Sequence, residues 1–132
     1  MDSEKLTINV TPVDLGRMDI LVRHGLYANR ADLIRTAIRK ELDQHESIVA
    51  DTITRDAFWV GIEVHSAKDL ERFKARGEKL RLKTVGMIKL ANDISPDLAD
   101  AVFESITVRG SLRASPAVLQ RLAPKIEGGK KR

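Results

Sequence analysis

The 132-residue sequence contains no cysteine, which removes disulfides, thiolate metal sites and cysteine nucleophiles, and fits a reducing compartment. Aromatic residues are scarce, at 4%, so any core must be built from Leu, Ile, Val and Ala. A chain of this length holds one modest core or two small ones, and small modules of that composition commonly need a partner chain to complete burial. Nowhere do about 18 apolar residues run together, the length a membrane helix needs. Met1 to Lys5 carry acids and no apolar run, unlike a signal peptide, so a cytoplasmic protein without a membrane partner is expected. Catalytic signatures are equally sparse. There is no Gly-x-Ser-x-Gly, no phosphate-binding glycine loop and no HExxH, and the carboxylate pair Asp97 and Asp100 falls on an ordinary amphipathic helix. His24, His45 and His65 fall at neither His-x-His nor His-x3-His spacing. Neither an enzyme, a metal site nor a cofactor is expected.

Charge is present but unevenly placed. The formal net charge is +4, yet residues 1–50 hold seven Lys/Arg against eight Asp/Glu, and residues 51–132 hold sixteen against eleven. A nucleic-acid surface cannot be located from the net charge alone; the placement of individual groups has to decide it.

Leu6, Ile8 and Val10 alternate with Lys5, Thr7 and Asn9, the period-two pattern of a strand with one apolar face. A lone strand does not survive in water, and the next strand signal is about fifty residues away. The natural partner is the same strand of a second chain, paired antiparallel about a twofold axis. Thr11-Pro12 then reads as an N-cap and first helical residue, with Asp14 in the first turn and Leu15, Met18 and Val22 at helical spacing, up to Gly25. Asn29 reads as the cap of a second helix carrying Leu33, Ile34, Ala37, Ile38 and Leu42, with Asp32 placed to reach back to the cap as in a capping box. Neither helix can bury its stripe alone, so dimer interface and core should coincide.

The stretches Lys5-Leu6-Thr7-Ile8-Asn9-Val10-Thr11-Pro12 and Gly25-Leu26-Tyr27-Ala28-Asn29-Arg30-Ala31-Asp32-Leu33-Ile34-Arg35 resemble the ribbon-helix-helix family of Arc, MetJ and CopG, and the second is similar to ParD-type antitoxins. The resemblance covers roughly residues 4–46. It implies a homodimer that lays a two-stranded ribbon in the major groove of double-stranded DNA, with Lys5, Thr7 and Asn9 on base edges. Lys donates to guanine, Asn pairs with adenine, and Thr offers a hydroxyl and a methyl to thymine. The free N–H groups at the start of the second helix make Asn29, Arg30 and Ala31 candidates for holding a backbone phosphate.

The resemblance does not extend by eye into the rest of the chain, which is longer and more patterned than the short tail of a ParD-type antitoxin. Residues 48–57 either extend the second helix or serve as a connector. Phe58, Val60, Ile62 and Val64 alternate with Trp59, Gly61, Glu63 and His65 as a strand does, and Ser66 opens a helix with Asp69, Leu70 and Phe73 that stops at Gly77. Leu80 to Leu90 reads as extended ahead of Ser95-Pro96 and Leu98, Ala101 and Val102. Ile106 to Ala114 reads as a strand ahead of Ser115-Pro116 and Val118, Leu119 and Leu122. Val60, Val85 and Val108 mark a weak internal repeat, which either winds as a solenoid or forms a small sheet covered by helices.

The expected fold is therefore α+β. It comprises a ribbon-helix-helix dimerisation and DNA-binding domain (1–47), a connector or helix extension (48–57), a βα-repeat domain (58–124) and a basic tail (125–132). The expected function is a transcriptional regulator, with a toxin-binding antitoxin or an architectural DNA-binding protein as alternatives. The second half would supply oligomerisation, effector binding or a protein-partner surface. Trp59 reads either as part of a ligand pocket or interface, or as a second buried layer. The basic run from Lys68 to Lys83 and the closing Lys130-Lys131-Arg132 read either as solvated faces or as contacts to flanking DNA.

Overall fold

The computed structural model describes the backbone of residues 3–131 and the side chains of residues 3–129. The chain divides into two compact units, residues 1–51 and 52–132.

In the first unit, residues 3–11 form no regular element and are exposed. Helices α1 (Pro12–Arg23) and α2 (Arg30–Gln44) follow. Both begin where the capping residues stand. Thr11 Oγ1 accepts from the Asp14 N–H at 3.1 Å, and Asn29 Oδ1 accepts from the Asp32 N–H at 2.8 Å. The Asp32 carboxylate reaches one residue further back than a capping box does, accepting from the Ala28 N–H at 2.9 Å. Gly25, with φ of 81°, ends the first helical segment. After a single-residue break at His45 the chain re-enters helix as α3 (Glu46–Arg55), which spans the division between the units. Most of residues 48–57, expected to be a connector or an extension of the second helix, is thus helical.

No described residue of α1, α2 or α3 is buried. Leu15, Met18, Val22, Leu33 and Ile34 are half-buried, while Ala37, Ile38 and Leu42 face solvent with Leu6, Ile8 and Val10.

The second unit alternates strand and helix: β1 (Trp59–His65), α4 (Ala67–Ala75), β2 (Leu80–Leu90), α5 (Pro96–Val102), β3 (Phe103–Arg113), α6 (Pro116–Leu122), a turn of 3-10 helix at Ala123–Lys125, and β4 (Ile126–Lys131). The strands lie in the order β1-β2-β3-β4, and every pairing is parallel. Each helix starts on a serine cap. Ser66, Ser95 and Ser115 accept from Asp69, Leu98 and Val118 N–H groups, and Pro96 and Pro116 occupy first helical positions that need no donor.

Leu70, Leu82, Ile88, Leu98, Val102, Phe103, Ile106, Val108, Leu112, Val118 and Leu122 make one continuous core between sheet and helices. Two sequence expectations are corrected here. Residues 126–131 are not a tail but a fourth strand, held by pairing with β3 from Ile106↔Ile126 onward. The third strand begins at Phe103 rather than Ile106, because α5 runs into it without a loop and the fully buried Phe103 pairs with Leu80.

The repeat is also keyed differently from the valine spacing. Val60 pairs with Val85, but Val85 pairs with Arg109, not Val108; the aligned column is Gly61, Gly86 and Gly110. Gly86 and Gly110 have φ near +135° and +132°, and a Cβ on either would lie 2.0 and 1.9 Å from the carbonyl oxygen of the preceding glycine in the column. Only glycine fits such a column, so the sheet is specified by its glycines as much as by its valines.

Candidate nucleic-acid interface

The groups expected to read DNA sit on an exposed segment of the first unit. Lys5, Thr7 and Asn9 are exposed, as are Leu6 at 77% and Ile8 at 57% relative exposure. Polar and apolar members of the segment are thus both exposed in a single chain.

At the start of α2, Asn29 spends its side-chain oxygen on the helix cap. Arg30 does not project freely. Its guanidinium forms a two-pronged pair with Asp19 on α1, Nε to Oδ1 at 2.7 Å and a terminal nitrogen to Oδ2 at 2.8 Å. The hydrogen bonds from Arg30, reinforced by its charge, hold the Asp19 carboxyl below its ordinary range, and Asp19 in turn raises Arg30. The pair bridges the two helices and fixes how the first turn of α2 is presented. Asp19 was not singled out from the sequence, although an acid in the C-terminal half of a helix, where the dipole disfavours it, signals that a cation is needed nearby. Ala31, next in the chain, is exposed.

The histidines lie apart in the chain. His24 caps α1, and His45 caps α2 with Nε2 3.1 Å from Glu41. His65 ends β1 as part of a polar chain in which the fully buried Thr84 donates to Glu63 Oε2 at 2.9 Å and Glu63 Oε1 meets His65 Nε2 at 3.2 Å. That chain satisfies polar groups packed beneath the helices, with Phe103 edge-on to the imidazole at 6.0 Å between ring centres. Among the described residues no three His, Asp or Glu side chains gather as a metal-binding group, and no helix is long and apolar enough to cross a membrane.

Several cations of the Lys68–Lys83 run have partners inside their own unit. Arg72 pairs with Asp69 and Arg81 with Glu104, Lys79 donates to the Ala101 carbonyl at 3.1 Å, and Lys83 lies 5.1 Å from the centre of the Phe58 ring. Four of the seven cations in this run are thus engaged within the second unit. Of the closing Lys130-Lys131-Arg132, the first two belong to β4 and Arg132 lies outside the described residues.

Two capped helices behind an exposed, alternating segment are what a DNA-reading ribbon requires of one chain, and comparison with known families agrees. The sequence matches the Ribbon-Helix-Helix transcriptional regulator family over residues 1–119. The chain belongs to this family. Membership makes it a DNA-binding regulator in general terms, and the match runs far beyond residues 4–46, through β1, β2 and β3 to Leu119 in α6. Residues 52–119 are thus part of what the family shares, where the resemblance legible in the sequence covered only residues 4–46. No match was found among curated proteins or solved structures.

Proposed function

We propose that this ribbon-helix-helix regulator acts as a cytoplasmic homodimer that represses transcription, its own operon included. In this reading, residues 6–10 of two chains pair antiparallel and lie in the major groove. Lys5, Thr7 and Asn9 face base edges, and Leu6, Ile8 and Val10 close over the helices of both chains. One observation carries it: no side chain of α1, α2 or α3 is buried in the single chain. An amphipathic pair of helices with an exposed apolar face is not stable by itself, and a second copy supplies the missing layer. Phosphate contact at the start of α2 falls to the backbone N–H groups of Arg30 and Ala31 and to the helix dipole, with Arg30 oriented by Asp19. Residues 52–132 form the βα-repeat domain with a regulatory or assembly role.

The test is binding of the full-length protein to DNA upstream of its own gene, against unrelated DNA of equal length, across a salt series. Thr7→Ala and Asn9→Ala should each lose about 1–3 kcal/mol of preference for the operator while keeping non-specific binding and its salt slope. Unchanged preference in both variants sinks the readout assignment.

A further inference from the structure

The second unit has two unlike sheet edges. At one edge, β4 carries Gly128, Gly129 and two lysines, a glycine-rich and charged strand of the kind that resists further pairing. At the other, β1 reads Trp-Val-Gly-Ile-Glu-Val-His, and it pairs only with β2 among the described strands. It has no proline and no lysine to blunt it. Trp59, Val60, Ile62 and Val64 are 51%, 57%, 47% and 59% exposed, although strand patterning in the sequence marks Val60, Ile62 and Val64 as a face to be buried. The two charged or polar residues of the strand, Glu63 and His65, alternate to the opposite face and are engaged with each other and with Thr84.

We infer that β1 pairs antiparallel with β1 of a second copy of this chain, about a twofold axis through Ile62, and so joins two four-stranded sheets into one. Three physical points select this occupant and register. Residues directly opposite in an antiparallel pair point to the same face, so only registers centred on a residue keep the helices of both copies on one side. Centring on Ile62 pairs the whole strand, with Val60 against Val64, Gly61 against Glu63 and Trp59 against His65, whereas centring on Gly61 leaves Val64 and His65 without a strand partner and centring on Glu63 sets two carboxylates face to face. Stacking two open sheet faces instead would bring Lys83, Lys89 and Arg109 against their own copies, since these cations share the face of Val60 and Ile62 by register and, for Lys83 and Arg109, by their approach to the Phe58 ring. An edge of seven residues buries too little to hold free chains together. It rests on the proposed ribbon dimer, which links copies and raises the effective concentration of each edge for another.

The absence of native cysteine makes the test direct. In the full-length protein, Ile62→Cys should oxidise to a disulfide-linked dimer at least tenfold faster than Glu71→Cys on the exposed side of α4, because opposed Cβ atoms lie about 4.5–5.5 Å apart. Val60→Cys alone should link poorly, while a mixture of Val60→Cys and Val64→Cys chains should link to each other. Ile62→Cys linking no faster than Glu71→Cys, or Val60→Cys linking as fast as Ile62→Cys, overturns the pairing. Mass by sedimentation and operator binding are measured on the same samples. An unlinked chain that is still dimeric and binds its operator refutes the edge pairing alone, whereas a monomer that ignores DNA refutes the ribbon dimer beneath it and the edge pairing with it.

Discussion

Residues 1–51 and residues 52–132 solve the same problem in opposite ways. The second unit places Leu70, Ile88, Val102, Phe103, Ile106, Val108, Leu112 and Leu122 at full burial within one chain. The first unit, with a comparable supply of Leu, Ile and Val, buries none of its helical residues. Composition therefore does not decide how much a unit buries within its own chain; the number of layers does. Four parallel strands carry three helices on their core, and each βα unit covers its neighbour. The two helices of the first unit and a leading segment of no regular structure bury no helical residue within the chain, and in the proposed dimer a second copy supplies the other layer.

This contrast can be broken most forcefully in the sheet. Phe103→Ala removes a fully buried ring and should cost about 3–5 kcal/mol, seen as a lower chemical-denaturation midpoint that does not depend on protein concentration. A concentration-dependent loss there would mean that the second unit also relies on a partner. Gly110→Ala should cost about 2 kcal/mol or more, because the residue's φ of +132° disfavours any side chain and the new Cβ would meet the Gly86 carbonyl. Circular dichroism of the melt separates this from a harmless surface change.

Smaller effects sharpen the other half of the comparison. Asn29→Ala deletes the cap of α2 and should cost about 1 kcal/mol, and the proposed dimer predicts that the midpoint of this transition rises with protein concentration. The smallest effect is expected at the Asp19–Arg30 bridge. In the folded chain the Asp19 pKa is lowered from 3.8, so its ionised form favours folding above that value and the contribution fades as pH falls through the depressed folded value. Both partners are about half exposed, so the pair is weak at neutral pH. Acid titration of Asp19→Asn should show a shallower low-pH loss in the first unit and no change in the second.

Local signals in the sequence were direct where a single side chain acts on its own backbone. Thr11, Asn29, Ser66, Ser95 and Ser115 cap helices as their positions indicated, since a cap needs only a short polar side chain and the three residues after it. The order of strand and helix from Phe58 to Leu122 followed from period and punctuation in the same way. Long-range choices were harder to see. The valine spacing misplaced the third strand's register by one residue, because valines mark a face whereas the glycines mark where backbones touch. Residues 125–132 looked like a solvated tail because a glycine-rich basic stretch carries no strand pattern, and pairing with β3 overrode it.

The sequence by itself determined where helices start, which residues alternate between faces, and that the first fifty residues resemble a ribbon-helix-helix module. All of these are written within a few residues of one another and depend on backbone geometry. Only the tertiary structure decided that Arg30 is held by Asp19 eleven residues earlier, that glycines align across three strands, and that the apolar face of β1 stays uncovered. Those outcomes depend on which distant segments meet, and pair distances in a folded chain are fixed by packing against the whole unit rather than by local preference.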